Sequence, residues 1–216
     1  MIGSTHPLES RSQVLTEPHY LPSLEFFVAV YSYNEIILDI HSHFVKQSSR
    51  TRTRINTANG VQSLIIPVTN RTNRTALKDI RILDSSRWRV NHWRSIEAAY
   101  RNAPFFEHYS DDLKKVLVDN KSEDLHHLNS GILSICLKWL GWDKKILFTE
   151  EYVENFDGLD IRGQLNTKIG WQERSIYSPI PYRQVFGSGF AENLSLIDLI
   201  FCTGPEATQI LIKSIR

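Results

Sequence analysis

The chain is poor in cysteine. Its 216 residues include two, Cys136 and Cys202, each in an apolar run, with no CxxC spacing and no histidine close by in sequence. A zinc knuckle, a redox pair and a disulfide framework are therefore excluded as organising devices. Two buried thiols are expected, a usage that suits a bacterial cytoplasm, with a single disulfide as the alternative. No apolar run reaches the roughly 18–20 residues that span a bilayer. Residues 1–12 are polar, contain Pro7 and lack an apolar centre, so they read as a loosely ordered arm, not a signal peptide. Charge of one sign is also missing: 25 lysines and arginines face 24 acidic residues, a net +1, which argues against a dedicated nucleic-acid binder. Hydrophobic content of 41% and charged content of 23% lie near globular averages and exclude disordered, coiled-coil and low-complexity classes. There is no internal repeat, no G-x-S-x-G, no Walker A loop and no G-x-G-x-x-G. No motif names a cofactor, and none specifies an oligomeric state.

What is present reads as one domain over residues 13–216. Residues 13–17 form a strand and residues 18–22 a proline-flanked turn. Ser23 is then placed to cap a helix carrying Glu25 in its first turn. Residues 35–40 are a short apolar run ending at Asp39, the pattern of a strand buried on both faces of a parallel sheet. This β-α-β start predicts an α/β fold, an open and mostly parallel sheet with flanking helices, Rossmann-like or nucleotidyltransferase-like, with a helical middle section. Asn59-Gly60 between extended runs signals a hairpin. Residues 69–75 read as a basic polar loop, and residues 77–83 alternate as a strand should. Helices follow over 87–102, 104–119 and 125–140, the last stopped by Gly141. A short strand is expected at 146–148 and an irregular stretch, with Lys168 and Trp171, from 158 to 177. A final helix over 195–201 stops at Gly204-Pro205. There Gly204 takes a positive φ as a cap, and Thr203 and the turn backbone are offered to a ligand.

Three constellations carry chemistry. Pro18, His19 and Tyr20 follow the first strand, where ligands bind in open α/β sheets and where the next helix points its amides at a phosphate or carboxylate. Similar loops occur in adenylyl- and cytidylyltransferase-like enzymes, although the paired-histidine signature of those enzymes is absent, so the likeness is one of loop position. Second, Lys46, Arg50, Arg52 and Arg54 follow Asp39. At period two the three arginines share one side of an extended run, and forked guanidiniums so placed repel unless an anion sits among them. Third, one helix interleaves Trp88, Asn91, His92, Trp93, Ser95 and Tyr100. His92 there suits acid–base work near neutral pH, with Asp39 and Asp198 as available carboxylates. The aromatics Trp88, Trp93 and Tyr100 suit a wall on which sugars or bases stack. His41-Ser42-His43 with Asp39 has a spacing that can hold zinc on a strand, whereas His126 and His127 diverge on a helix. No bound metal is expected.

Taken in order, Glu17-Pro18-His19-Tyr20-Leu21-Pro22, residues 46–55, Leu64-Ile65-Ile66-Pro67-Val68, the Trp88 helix and Thr203-Gly204-Pro205 resemble the WbqC-like family over residues 13–212. The resemblance implies a role in O-antigen and surface-polysaccharide gene clusters without implying a settled reaction. It matches a family lysine to Lys46 and a family arginine to Arg52. The chain departs from the family at Thr51 and Thr53, where asparagines are common, and at His43, where glutamine is common. The combined expectation is a cytoplasmic protein acting on an activated anionic small molecule, a nucleotide-linked sugar or acyl donor, as a transferase. His19 and His92 would be the acid–base groups, with Pro18, Tyr20, Lys46, Arg50, Arg52, Trp88, Trp93, Tyr100, Gly204 and Pro205 around the ligand. The competing expectation is a non-catalytic binding or scaffold protein of the same pathway, with the same basic cleft and no tuned acid–base group in it.

Overall fold

A computed structural model describes residues 11–69, 72, 74–83, 87–165, 170–187 and 189–216. The arm expected at the start lies mostly outside them, with Arg11 and Ser12 already in the first strand, and Lys168 is outside as well. Strand β1 (Arg11–Thr16), helix α1 (Leu24–Val30) and strand β2 (Tyr33–Leu38) form the expected β-α-β unit, with β1 and β2 parallel and Val14 level with Ile36. Val14, Leu15 and Thr16 are fully enclosed, as a central strand requires. On β2, Ile36 and Leu38 are buried while Glu35 and Ile37 are half-buried, so that strand is covered on one face more than the other. Strand β5 (Lys145–Phe148) pairs with β2, and the two-residue strand β6 (Leu159–Asp160) pairs with the far side of β1. The sheet is parallel throughout, in the order β5-β2-β1-β6.

The Asn59-Gly60 signal is a hairpin as expected: β3 (Arg52–Thr57) and β4 (Gly60–Ile65) are antiparallel, with Arg54 opposite Ser63. Residues 77–83 are not a strand. Leu77–Asp79 is a 3-10 turn, and Ile82 makes one isolated bridge, to Val68. Leu77 and Ile80, both fully buried, sit three residues apart, a spacing that a helical turn satisfies and an alternating strand does not.

Helix α2 (Trp88–Tyr100) packs against β3 and buries Trp88, Arg89, His92, Ile96, Ala99 and Tyr100. Residues 104–119 fold as α3 (Phe106–Lys114) running into a π-helical turn, Lys115–Asp119. Helix α4 (Leu125–Leu140) has its expected bounds, and Gly141 closes it with φ 67° and ψ 27°. Helix α5 (Leu196–Thr203) ends at Gly204, whose φ is 54°, and a 3-10 turn leads into α6 (Ala207–Lys213). Both cysteines are buried and free. No helix among the described residues is long and apolar enough to cross a membrane.

Candidate ligand-binding site

The sheet dictates where to look. From β1 the chain adds β2 and then β5 on one side and afterwards crosses back to lay β6 on the other, so the direction of winding reverses between β1 and β6, and in open α/β sheets the crevice beyond the carboxyl ends at such a reversal takes the ligand. A cavity of about 340 Å³ opens beside the loop that follows β1. Its floor is Tyr20, Leu21, Pro22 and Ser23 with Asn193 and Ser195; one wall is Arg52, Thr53, Arg54 and Ser63 of the hairpin with Ser49; the other is Trp171, Gln172 and Arg174.

Local bonds hold these pieces together. The Tyr20 amide donates to the Ser49 carbonyl at 2.8 Å, and the Thr53 hydroxyl to the Leu21 carbonyl at 2.8 Å. The Ser195 amide reaches the Arg54 carbonyl at 3.0 Å. Asn193 links the walls: its carbonyl accepts from Arg54 Nη2 at 3.1 Å, its Oδ1 accepts the Glu25 amide at 3.0 Å, and its Nδ2 donates to Glu25 Oε2 at 3.2 Å. Glu25 in turn receives Nε and Nη2 of Arg174, both at 2.6 Å. The opening amides of α1 are thereby accounted for, the Leu24 amide going to the Leu194 carbonyl at 3.0 Å. Ser23 occupies the capping position without a side-chain capping bond, and Asn193 supplies the cap from a distance.

Positive charge exceeds negative in this cavity. Arg174 is matched by Glu25, whereas Arg52 has no acidic partner among the described residues and Arg54 meets a carbonyl. The Ser195 hydroxyl is buried with no hydrogen-bond partner among the described residues.

Of the residues singled out in the sequence, Tyr20 and Arg52 line this cavity. The structure distributes the others around it. His92 is buried behind Tyr20, its Nδ1 at 2.8 Å from the Tyr20 hydroxyl. Burial pulls its pKa down to about 4 against a smaller opposing effect of a hydrogen bond to the Ile65 backbone, so the ring is neutral at pH 7. Burial likewise pushes the Tyr20 hydroxyl well up, so it stays protonated. Trp88 packs edge-on against Tyr20 and His92. His19, Glu17 and Arg50 form a separate buried group: Arg50 Nη2 lies 3.5 Å and His19 Nε2 3.9 Å from Glu17 Oε1, and Asn129 Nδ2 bonds the Pro18 and Arg50 carbonyls at 3.3 and 2.8 Å. Lys46 is exposed on the surface. Tyr100 donates to Asp198 in the core at 2.9 Å, and Trp93 stacks on Phe106. Asp39 receives Arg162 at 2.6 Å and Asp198 also receives Tyr182 at 2.5 Å, so both carboxylates offered to His92 serve other partners. Gly204 rests on the Phe105 ring, and Pro205 borders a second, more open cavity of about 620 Å³ with Phe105, Tyr182 and Cys202.

Residues that the sequence reading did not single out complete the site: Glu25 as an ion-pair partner, Arg174, Asn193 and Ser195. No local pattern marks them, because the last three lie in or beside an irregular stretch and reach the site through bonds to Glu25 and Arg54, more than 100 positions away.

The description WbqC-like protein family belongs to the family model that matches residues 17–162, a span that includes Tyr20, Arg52 and Arg54 and stops short of Trp171, Arg174 and Asn193. Over 224 aligned residues the chain is 24% identical to Rv1507c, an uncharacterized protein of Mycobacterium tuberculosis, covering 91% of this chain and 96% of that one. No solved structure matches.

Proposed function

The chain belongs to the WbqC-like protein family, and from that premise we propose that it binds an activated anionic small molecule in the cavity beside β1, a nucleotide-linked sugar or an acyl donor used in the cytoplasm for surface-polysaccharide (O-antigen) assembly. The observation that carries this reading is the charge of Arg52 and Arg54, without an acidic partner among the described residues, in a half-open crevice at the reversal point of a parallel sheet. Guanidiniums held there without carboxylates lower their mutual repulsion by taking an anion between them.

Binding is the first reading because neither His19 nor His92 is in the cavity wall. A second reading, group transfer, is favoured by one contact: the Tyr20 hydroxyl, whose ring is in the wall, sits on the His92 imidazole at 2.8 Å. A neutral imidazole there can accept the tyrosine's hydrogen bond and so fix the orientation of its hydroxyl at the edge of the cavity.

A thermal-shift screen of nucleotide sugars and acyl donors tests the proposal. A ligand at one hundred times its dissociation constant adds about 2.7 kcal/mol of stability, which is readily seen. Arg52→Ala should cut affinity about ten- to one-hundred-fold, the loss of about 1.5 to 3 kcal/mol expected for one charge-assisted bond. If no donor raises the melting temperature, or if the variant responds as strongly as the parent, the cavity is not the site.

A further inference from the structure

Resting on that reading, we infer that the anionic part of the ligand is a phosphoryl dianion held by Arg52, Arg54 and the Ser195 hydroxyl, and that its ring-bearing part lies toward Trp171. Charge is the first reason. Among the described residues, three arginines and one carboxylate border the cavity; Arg174 and Glu25 cancel in a two-bond pair, so two positive charges remain among them, the complement of a dianion.

Shape is the second reason. A carboxylate is planar and is satisfied by the fork of one guanidinium, whereas a tetrahedral phosphoryl group accepts donors from several directions. Arg52 and Arg54 are two residues apart on β3 and both border the cavity, so their Cα atoms are roughly 6.5 Å apart along the strand and their side chains approach one group from different points.

The third reason is Ser195. It is 1% exposed, borders the cavity and has a hydroxyl with no partner among the described residues. Buried hydroxyls are normally bonded, and the hydrogen bond that the Ser195 amide donates to the Arg54 carbonyl sets this donor beside the arginine strand. On the facing wall Trp171 is half-buried with one side packed edge-on against Tyr177, and its position in the cavity lining offers an aromatic surface to a base or sugar ring.

Titration calorimetry of the full chain with pyrophosphate, malonate, uridine diphosphate and uridine distinguishes the alternatives. Pyrophosphate and uridine diphosphate are expected to bind, with malonate at least about tenfold weaker than pyrophosphate. Ser195→Ala, and Ser195→Cys in case the smaller residue disturbs folding, should weaken pyrophosphate about fivefold or more, since a neutral hydroxyl donor is exchanged for none or for a weak one. Trp171→Ala should weaken uridine diphosphate and leave pyrophosphate unchanged. Equal affinity for malonate and pyrophosphate, or full affinity in both Ser195 variants, overturns the phosphoryl subsite and leaves anion binding in the cavity standing. Undiminished binding of uridine diphosphate to Trp171→Ala overturns the ring contact. If none of the anions binds, this inference and the proposed function fall together.

Discussion

Two residues at the floor of the cavity hold backbones that side chains disfavour: Leu21 at φ 42° and Asn193 at φ 48°. The left-handed region costs a leucine about 1 to 2 kcal/mol, and such strain persists where surrounding bonds enforce it and tends to gather at functional sites. Here the enforcing bonds are Thr53 on the Leu21 carbonyl and the three bonds of Asn193 to Arg54 and Glu25. Glycine allows a positive φ at Gly141, in the left-handed helical region with ψ 27°, and at Gly204, outside it with ψ −126°, with different consequences for substitution. A Cβ on Gly204 would meet the Phe105 ring at 2.6 to 2.7 Å, whereas one on Gly141 would meet nothing within 4 Å. Gly141→Ala should therefore cost about 1 kcal/mol from backbone strain alone, and Gly204→Ala on the order of 3 kcal/mol because overpacking adds to it. Urea unfolding of the two variants checks the order, and equal losses would mean that Phe105 yields freely. Tyr20 and Arg52 were legible in the sequence because a proline-bounded loop and a period-two run announce themselves locally. Asn193 and Ser195 were not, since a cap supplied from 168 positions away leaves no trace in spacing.

Elements with one dominant signal were legible. The β-α-β start, the Asn59-Gly60 hairpin and helix α4 with its glycine cap all follow from patterns in which propensity and burial agree. Residues 77–83 misled because Ile80 and Ile82 imitate strand alternation while Leu77 and Ile80 serve a helical turn; burial of both apolar positions decided between them. Residues 104–119 read as one helix, but the π turn at Lys115–Asp119 places Leu117 in the core, an adjustment that average periodicity does not register. In α2 the interleaved aromatic and polar residues suggested a face open to ligand. The helix instead turns Trp88, His92, Ile96 and Tyr100 inward, and the Tyr20 hydroxyl satisfies the histidine, so this stripe supports the cavity floor from behind.

At the scale of the molecule, the buried ionisable groups set the response to acid. Burial holds His92 and His126 down to about 4 from an ordinary 6.5, with repulsion from His127 and Arg81 adding to the effect at His126. The unfolded chain therefore takes up protons at these sites first, and stability that is complete above pH 6.5 is lost as pH falls from 6.5 toward 4. Burial alone would raise Glu17, but His19, Arg50 and the Gly163 amide outweigh it and bring the carboxyl to about 2, so its contribution is present above about 4.5 and lost as pH falls from there toward 2. Unfolding free energies measured between pH 8 and 4 should fall with a slope approaching two protons near pH 5, and His126→Leu should reduce that slope by about one; an unchanged slope would show that His126 titrates alike in both states. The parallel sheet, reversing at β1, is also what creates the crevice, and the central claim is that its arginines hold the ligand. Phenylglyoxal modification, mapped by mass spectrometry with and without uridine diphosphate, tests that claim most directly. The account predicts that the nucleotide protects Arg52 and Arg54 while the exposed Arg94 of α2 and the exposed Arg101 just after it react equally in both samples. Saturating nucleotide that leaves Arg52 and Arg54 as reactive as before, or that protects Arg94 and Arg101 instead, would contradict it.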